Sequence, residues 1–247
     1  MYAFPDTETT GFARGGVQPR LVSIAWMIAE DPGRPRVFKH SIIKPEGFTI
    51  PQAAAAVHGI TTERALAQGL PLTAVLHDFA YDLRTLLPRA IVAHNVAYDI
   101  PIIAAEFTQI RIADPCQGRA TYCTMIAARD RWPGESAKLG DVYARVFRST
   151  LQNAHNASAD VWACAQIFFA LQGVVTKNIA PILPGPHDEK GECGRLIEAV
   201  LEWAETRIDF DTSFVENLQA CLTAGRHLTD RQKTALHNII HKWNIEV

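Results

Sequence analysis

The sequence has only five cysteines among 247 residues, and no two of them show the C-x-x-C spacing. The odd number argues against a disulfide framework, and the missing C-x-x-C pairs argue against a structural zinc site. We therefore expect free thiols in a reducing compartment. The cysteines concerned are Cys116, Cys123, Cys164, Cys193 and Cys221.

Long hydrophobic runs are missing near the N-terminus. The longest uncharged apolar run there is 21–29, which is far shorter than a membrane span. The first residues also lack the basic and then apolar layout of a signal peptide. Hydrophobic residues make up 48% of the chain, which excludes wholesale disorder. The sequence therefore predicts a soluble, cytoplasmic protein.

A large excess of positive charge is missing as well. The net charge is −2, with 17 basic and 15 acidic residues in 1–180 and 7 basic and 11 acidic residues in 181–247. This balance excludes a basic coat protein for nucleic acid, so any contact with nucleic acid has to be local.

The apolar pattern first predicts an antiparallel meander of three strands, at 1–5, 21–29 and 37–43. A helix follows at 72–86, where apolar residues recur three and four positions apart, and then a short strand at 90–93. Strands that come first and then alternate with helices indicate an α/β domain, which we expect to end near residue 178.

The remainder of the chain predicts a separate appendage. Residues 179–194 are rich in proline and glycine and are typical of a linker. Residues 195–247 carry helical apolar stripes, with a capping box at Thr229 and Gln232. We expect a small helical C-terminal segment.

Two acidic residues lie at the end of the first strand, in the sequence Asp6-Thr7-Glu8-Thr9-Thr10-Gly11. Alternate residues of a strand point to the same face, so Asp6 and Glu8 present two carboxylates side by side. Like charges at this separation repel one another unless a cation lies between them.

Two later segments add acidic residues and histidines. The first runs from His94 to Asp99, between a strand end and a helix start, and the second runs from His155 to Asp160. Four carboxylates without a nearby cysteine suit Mg²⁺ or Mn²⁺. Two such ions about 3.5–4 Å apart can hold the attacking and leaving oxygens of a phosphodiester. A neutral histidine beside them can accept a proton from water.

With these three motifs the chain resembles the DEDDh-type 3′→5′ exonucleases, a family that includes the proofreading subunit of bacterial DNA polymerase III and RNase T. The family patterns D-x-E-T-T/A-G, H-N-x-x-x-D and H-x-x-x-x-D match Asp6–Gly11, His94–Asp99 and His155–Asp160, in the same order. A family segment, Val-His-Gly-Ile-Thr, is present at Val57–Thr61. The resemblance covers about residues 1–178.

The resemblance implies a ribonuclease-H-like fold. This fold has a mixed sheet, with three antiparallel strands followed by parallel strands, and helices on its faces. In this chain a small helical C-terminal appendage would be added.

The resemblance also implies a role for each acidic residue. Asp6 would bridge two Mg²⁺ or Mn²⁺ ions, and Glu8 and Asp160 would complete the site on the side of the attacking water. Asp99 would hold the second ion, and His155 would be the general base.

Six further residues are predicted to surround the substrate. The backbone N–H groups of Thr9 and Thr10 are available to a 3′ end in this interpretation. Phe12 lies where RNase T-like members place a base-stacking aromatic residue, and the alternative is a hydrophobic plug. His58 is either close to the terminal nucleotide or an ordinary loop residue. His94 and Asn95 shape the pocket by hydrogen bonding, and for Asn95 a purely structural role is favoured.

Proline at position 5 departs from what a central strand requires. Proline cannot donate a hydrogen bond to the ladder, so it is usually found at strand edges or bulges. We expect either a bulge at Pro5 or an unpaired neighbour on one side.

The sequence therefore predicts a metal-dependent 3′→5′ exonuclease that releases nucleoside 5′-monophosphates from single-stranded 3′ ends. DNA is favoured over RNA, as in proofreading, repair or phage replication. One alternative is an exoribonuclease that trims RNA 3′ ends. Another is an exonuclease-like module whose main role is to dock a polymerase or helicase through the acidic C-terminal segment.

Overall fold

The computed structural model describes residues 1–13, 15–31, 33, 35–152, 156–174, 189–205, 207, 210–223, 228–243 and 245. It divides into two compact units, Met1–Pro186 and His187–Val247. None of the helices within the described ranges is both long and apolar enough to cross a membrane.

The first unit is built on a five-stranded mixed sheet. Its strands are β1 (Tyr2–Thr9), β2 (Leu21–Ala29), β3 (Val37–Ile42), β4 (Ala90–Ala93) and β5 (Ala120–Cys123). The spatial order is β3-β2-β1-β4-β5. Strands β1, β2 and β3 pair antiparallel, whereas β4 pairs parallel with both β1 and β5. The predicted fold class, three antiparallel strands followed by parallel strands, is confirmed.

Strand β1 accommodates Pro5 without a bulge at that position. Pro5 pairs with Trp26 in an unbroken register, and the register shift with β2 comes later, between Glu8 and Thr9. On the other side, the recorded pairing of β1 with β4 is Ala3 with Ile91. The missing N–H of Pro5 therefore leaves the β2 register intact, and the strand continues through Asp6 and Glu8.

The described part of the first unit contains the helices α1 (Gln52–His58), α2 (Thr62–Gln68), α3 (Leu72–Leu86), α4 (Val96–Gln109), α5 (Thr124–Arg131), α6 (Leu139–Phe147) and α7 (Ala157–Leu171). Helices α3 and α4 pack on one face of the sheet around Trp26 and Phe79. Helix α7 packs on the other face around Phe4 and Phe168. The sheet thus lies between two helical layers.

The parallel pairing of β1 with β4 determines where the polar motifs meet. Both strands end at the same edge of the sheet, because parallel neighbours run in the same direction. Helix α4 starts at that edge directly after β4, and the first turn of α7 reaches the same region through Asp160. Residues far apart in sequence are therefore brought together at one edge.

An ion pair between the half-buried Arg20 and the buried Glu106 holds α4 against the start of β2. Glu106 is 2% exposed and accepts hydrogen bonds from Arg20 Nε at 2.8 Å, Arg20 Nη2 at 3.2 Å and the Leu21 N–H at 2.9 Å. The Arg20 guanidinium also lies over the Phe48 ring, 4.6 Å from its centroid. These contacts fix the helix that carries Asp99.

We expect Glu106→Ala to destabilise the protein by about 1–3 kcal/mol, because it leaves a half-buried arginine and the buried Leu21 N–H without their acceptor. Thermal unfolding measures this loss, as a melting temperature lowered by roughly 2–12 °C. Glu135→Ala is the matched control, since Glu135 pairs with Arg145 but is 63% exposed. Its expected loss is below about 1 kcal/mol. Equal losses in the two variants would contradict this assignment.

The second unit has its own hydrophobic cluster. Its helices are α8 (Glu189–Ala204), α9 (Ser213–Thr223) and α10 (Asp230–Trp243). Ile197, Val200, Val215 and Leu236 are buried in this cluster. The Thr229 N–H donates to Gln232 Oε1 at 2.8 Å and the Gln232 N–H donates to Thr229 Oγ1 at 3.3 Å, so the capping box is confirmed.

The linker predicted at 179–194 is shorter than expected at its C-terminal end. Helix α8 begins at Glu189, so residues 189–194 are helical. Glycine lowers helix propensity by only about 1 kcal/mol, and a helix tolerates isolated glycines such as Gly191 and Gly194. The preceding residues, 179–188, lie outside the described ranges.

Candidate active site

Three carboxylates converge on the α7 side of the sheet. Asp6 and Glu8 occupy alternate positions of β1, and Asp160 lies in the first turn of α7, which packs on the same face. One oxygen from each of the three carboxylates lies within 4.8 Å of the other two. Asp160 therefore adds a third carboxylate to the pair, Asp6 and Glu8, that the sequence predicted on this face.

The cap of α7 places Asp160 in this position. Asn156 Oδ1 accepts hydrogen bonds from the N–H groups of Ser158 at 3.1 Å and Ala159 at 3.4 Å. The Asp160 N–H donates to the Asn156 carbonyl at 3.0 Å. Asparagine is a preferred helix cap because its side chain satisfies N–H groups that have no partner in the helix. Helix α7 thus begins at a fixed point, one turn before its acidic residue.

The fourth carboxylate, Asp99, is held by Thr7. Asp99 lies in the first turn of α4 and is 4% exposed. Its Oδ1 accepts from the Thr7 N–H at 3.1 Å and from the Thr7 hydroxyl at 2.7 Å. Thr7 lies between Asp6 and Glu8 on β1, so its side chain points to the opposite face. Sequence reasoning missed Thr7, although its place between the two acidic residues was a usable signal.

Burial and the neighbouring carboxylates raise the pKa of Asp6, Glu8 and Asp99. Burial is the main cause of the raised pKa of Asp6, followed by the charges of Asp99, Asp160 and Glu8. Burial, followed by the charges of Asp160 and Asp99, raises the pKa of Glu8 to about 8. Burial also raises the pKa of Asp99 to about 7, although the Thr7 hydrogen bonds oppose this shift. Without a cation, the site therefore favours protonated carboxyl groups at neutral pH.

This cluster fits a divalent cation. Its ligands are carboxylate oxygens, which hard ions such as Mg²⁺ and Mn²⁺ prefer. A bound cation removes the repulsion that raises these pKa values, because it favours the ionised form of every neighbouring carboxyl group. Asp6, Glu8 and Asp160 would hold such an ion, with Asp99 close enough to add its charge.

The predicted general base lies outside the described residues. The structure describes Gln152 and Asn156 on either side of the gap but not residues 153–155, which include His155. The role of His155 stays a prediction from the motif.

The side chain of Thr9 stabilises the turn that follows β1. Thr9 Oγ1 and the Tyr98 hydroxyl lie 2.7 Å apart, and both lie close to the Gly11 carbonyl oxygen, at 2.7 and 2.8 Å. Gly11 has φ of 135°, which L-residues rarely adopt. The turn therefore requires glycine and is closed by two hydroxyl groups.

The backbone of Thr10 is already paired. Its N–H donates to the Arg20 carbonyl at 3.0 Å, and its Oγ1 accepts from the Arg20 N–H at 3.0 Å. Contrary to the prediction, this N–H is not available to a 3′ end, because the β1–β2 pairing continues past the bulge at Glu8 and Thr9. The expectation for the Thr9 N–H stays a prediction.

Phe12 presents an exposed aromatic ring beside the cluster. It is 80% exposed, and its ring meets Tyr98 at a centroid distance of 5.9 Å. A hydrophobic plug would be buried, so the structure disfavours that alternative. The position suits the stacking role that sequence analysis predicted for this residue.

His94 and Asn95 differ in whether their polar side-chain atoms are already used within the protein. His94 Nε2 lies 2.8 Å from the Ala137 carbonyl and therefore donates to it, so Nδ1 accepts from the Thr124 hydroxyl at 2.9 Å. Burial is the main reason that the pKa of His94 is lowered. Both ring nitrogens are thus used within the protein, whereas Asn95 is exposed at the start of α4.

His58 lies next to the first motif. It ends α1, and its Nδ1 accepts from the Ile60 N–H at 3.1 Å, which leaves the proton on Nε2. Partial burial lowers the pKa of His58, and the Thr9 backbone opposes this shift. The ring is therefore neutral near pH 7 and close to the turn that follows β1.

The sequence model of the RNase T exonuclease family matches residues 4–168. The chain belongs to this exonuclease family. Three-prime repair exonuclease 1 of Bos taurus is 28% identical over 152 residues, which covers 55% of this chain and 48% of that protein. The chain therefore spans about half the length of this relative.

Solved structures share the fold of this chain at lower identity. The zinc-bound complex of E. coli exonuclease I with single-stranded DNA has a TM-score of 0.56 and 22% identity, covering 69% of this chain and 39% of that chain. Exonuclease X in complex with 5′-overhanging duplex DNA has a TM-score of 0.53 and 22% identity, covering 70% of this chain and 92% of that chain.

We expect the stability of the metal-free protein to fall as pH rises from about 5 to about 8. The folded chain binds more protons than the unfolded chain in this range, because the pKa values of Glu8 and Asp99 are raised to about 8 and about 7. Saturating Mg²⁺ or Mn²⁺, at about 100 times its dissociation constant, should add about 2.7 kcal/mol. This corresponds to roughly 5–10 °C in melting temperature.

Thermal unfolding with chelator and with each cation, at both ends of this pH range, measures the effect. At one fixed cation concentration, the increase in melting temperature should be larger at high pH, where the cation binds more tightly, and should be lost in Asp6→Asn. A cation effect that is the same at both pH values, or that persists in Asp6→Asn, would contradict the assignment.

Proposed function

We propose that this family member is a 3′→5′ exonuclease that hydrolyses phosphodiesters of single-stranded DNA and releases nucleoside 5′-monophosphates. The convergence of Asp6, Glu8 and Asp160 on one face of the sheet, with Asp99 beside them, carries this proposal. Two Mg²⁺ or Mn²⁺ ions held by these residues would supply a Lewis acid and positive charge against the reacting phosphodiester oxygens.

The residues of the chain supply the remaining chemistry. His155 takes the proton of the attacking water, which requires its neutral form. Thr7 holds the Asp99 carboxylate through two hydrogen bonds and keeps it directed at the cluster. Phe12 stacks on a base, an interaction worth about 1–3 kcal/mol per base.

DNA as the polymer is supported by the proteins that share the fold. The exonuclease I structures contain single-stranded DNA, one of them a dT13 oligonucleotide, and the exonuclease X structure contains duplex DNA with a 5′ overhang. An RNA substrate is distinguished only by contacts to the 2′-hydroxyl. The choice of polymer is therefore decided by the assay below.

The test uses oligonucleotides of identical sequence, one DNA and one RNA, labelled at the 5′ end. We expect the DNA to shorten one nucleotide at a time with Mg²⁺ or Mn²⁺, and chelation to stop the reaction. A 3′-phosphate should block cleavage, and a circular single strand should be resistant. Faster cleavage of RNA would favour the exoribonuclease alternative. If neither oligonucleotide is cleaved under any condition, docking of a replication partner remains as the proposed function.

We also propose that residues 1–178 form the catalytic domain and that the following residues form a linker and a helical appendage. Every described residue of the candidate site lies in 1–178. The described members of each hydrophobic cluster come from one unit alone. The docking of a polymerase or helicase belongs to this proposal as a role of residues 195–247.

We expect a truncated chain that ends at Thr176 to remain folded and to keep cation-dependent cleavage of short oligonucleotides within about threefold, because its core is complete. Circular dichroism and the release assay measure both properties. The full-length protein with Asp6→Asn is the inactive control. An insoluble or inactive truncated chain would show that the appendage completes the catalytic domain.

A further inference from the structure

An open groove of about 720 Å³ begins at the catalytic cluster and extends beyond it. Asp160, Asn95 and Phe12 line the part that belongs to the site described above. Beyond this part, the lining includes Met125 and Arg129 of α5, and Lys138 and Leu139 where α6 begins. None of these four residues was singled out by sequence analysis.

The walls of the groove have fixed positions, because His94 forms hydrogen bonds to both of them at the end of β4. Its Nε2 donates to the Ala137 carbonyl at 2.8 Å, next to Lys138. Its Nδ1 accepts from the hydroxyl of Thr124, at the start of α5, and the Met125 N–H donates to the His94 carbonyl at 3.0 Å. One histidine thus sets the positions of α5 and of the Lys138 segment relative to the carboxylates.

The groove carries two exposed cations, Arg129 and Lys138. Neither forms an ion pair within the described part of the chain, whereas Arg20, Lys39 and Arg145 pair with carboxylates there. The other acidic residue of the groove, Asp141, accepts a hydrogen bond from the Ser136 hydroxyl at 2.5 Å. The positive charges of the groove are therefore available to an anionic ligand.

We propose that this groove binds the phosphodiester backbone on the 5′ side of the scissile phosphate, with Arg129 and Lys138 as its phosphate contacts. The inference rests on the proposed function, because it requires a strand with its 3′ end at the carboxylate cluster. Only one nucleotide of an exonuclease substrate lies beyond the scissile phosphate, so the rest of the strand needs a path away from the cluster. A groove that starts at Asp160, with two cations and the apolar side chains of Met125 and Leu139, meets that need.

The test compares substrates with and without a strand upstream of the reacting phosphate. The p-nitrophenyl ester of thymidine 5′-monophosphate has one phosphodiester and no upstream nucleotides, whereas a thymidine dodecamer occupies the whole groove. The variant carries Arg129→Gln and Lys138→Gln together. We expect KM for the dodecamer to rise about tenfold or more, with kcat/KM for the ester unchanged within about twofold.

Salt dependence gives a second readout. Each phosphate contact with a single strand contributes about −0.7 to the slope of log affinity against log salt. Loss of two contacts should therefore reduce the slope by about 1.4 for the dodecamer. A uridine dodecamer of RNA should respond similarly, because the contacts are to phosphate and not to sugar.

The matched control removes two exposed arginines at the other end of the domain, through Arg89→Gln and Arg111→Gln. Arg89 precedes β4 and Arg111 follows α4, so both lie away from the edge that carries the site. This control has the same change in net charge and should keep the parent KM and salt slope. An unchanged dodecamer KM in the groove variant, or an equal loss in the control, would overturn the groove assignment.

The experiment separates this inference from the proposed function. If the parent enzyme cleaves the ester and the dodecamer but the groove variant behaves like the parent, the groove assignment fails and the exonuclease function stands. If the parent enzyme cleaves neither substrate in the presence of Mg²⁺ or Mn²⁺, the proposed function fails first. An equal loss on ester and dodecamer would show that the substitutions disturb the catalytic cluster, and would also overturn the assignment.

Discussion

Replacing Asp6 with asparagine should lower turnover by at least about 10³-fold and abolish stabilisation by divalent cations. Asparagine keeps the shape of the side chain but removes one of three carboxylates whose oxygens lie within 4.8 Å of one another. Charge stabilisation by a metal ion contributes several kcal/mol to such reactions, and each 1.4 kcal/mol corresponds to tenfold in rate. Mononucleotide release and the cation-dependent melting temperature measure the two effects.

Loss of folding is not expected in this variant. Burial and the neighbouring carboxylates raise the pKa of Asp6, so the ionised side chain opposes folding when no cation is present. Metal-free Asp6→Asn should therefore melt at or above the temperature of the parent protein at high pH.

Asp82→Asn is the matched control for Asp6→Asn. Asp82 is also buried, with a pKa raised to about 6 mainly by burial, but it lies on α3 and accepts from Trp26 Nε1 at 2.8 Å. Its amide can still accept that hydrogen bond, so the control should keep normal turnover and the cation effect. Near-normal turnover of Asp6→Asn would exclude the proposed metal site.

Replacing His155 with alanine should lower turnover by about 10²–10⁴, the usual contribution of a positioned general base. The parent enzyme should gain activity as pH rises through the imidazole pKa, near ~6.5 when unperturbed, because only the neutral ring accepts a proton. The variant should lose this dependence. Single-turnover rates across pH measure both effects.

Cation binding should distinguish the His155 variant from the Asp6 variant. His155→Ala is expected to keep the cation-dependent increase in melting temperature, since the imidazole is not a ligand in this mechanism. His77→Ala, at an exposed position of α3, is the control and should match the parent. If His155→Ala keeps the turnover and pH profile of the parent, the general base has to be another residue.

The sequence predicted the carboxylate cluster better than it predicted the surroundings. Asp6 and Glu8 could be paired from the alternation of a strand alone, which depends on neighbours two residues apart. Asp160 was recognisable from its motif, and the structure brings its carboxylate to the other two. Each of these acidic residues could be recognised within a short segment, because a sequence pattern reflects the geometry of neighbouring residues.

Contacts between distant segments could not be predicted in the same way. The hydrogen bond from Thr7 to Asp99 joins residues 92 apart, and the one between His94 and Ala137 joins residues 43 apart. The hydrogen bond from the Thr10 N–H to the Arg20 carbonyl also depends on the register of β1 with β2. A shift of one residue in register would reverse the faces of all side chains in a strand, and a motif does not specify it.

By itself the sequence determined the antiparallel meander of β1, β2 and β3, the set of acidic residues and, through its motifs, the family. The reason is that alternation, spacing and residue type are properties of short segments. Only the tertiary structure decided that Thr7 holds Asp99 beside the cluster and that His94 forms hydrogen bonds to both walls of the groove. It also decided that Arg129 and Lys138 lie along one groove. Parallel pairing of β1 with β4, and the packing of α7 across the sheet, set these positions, because they bring distant segments to one edge.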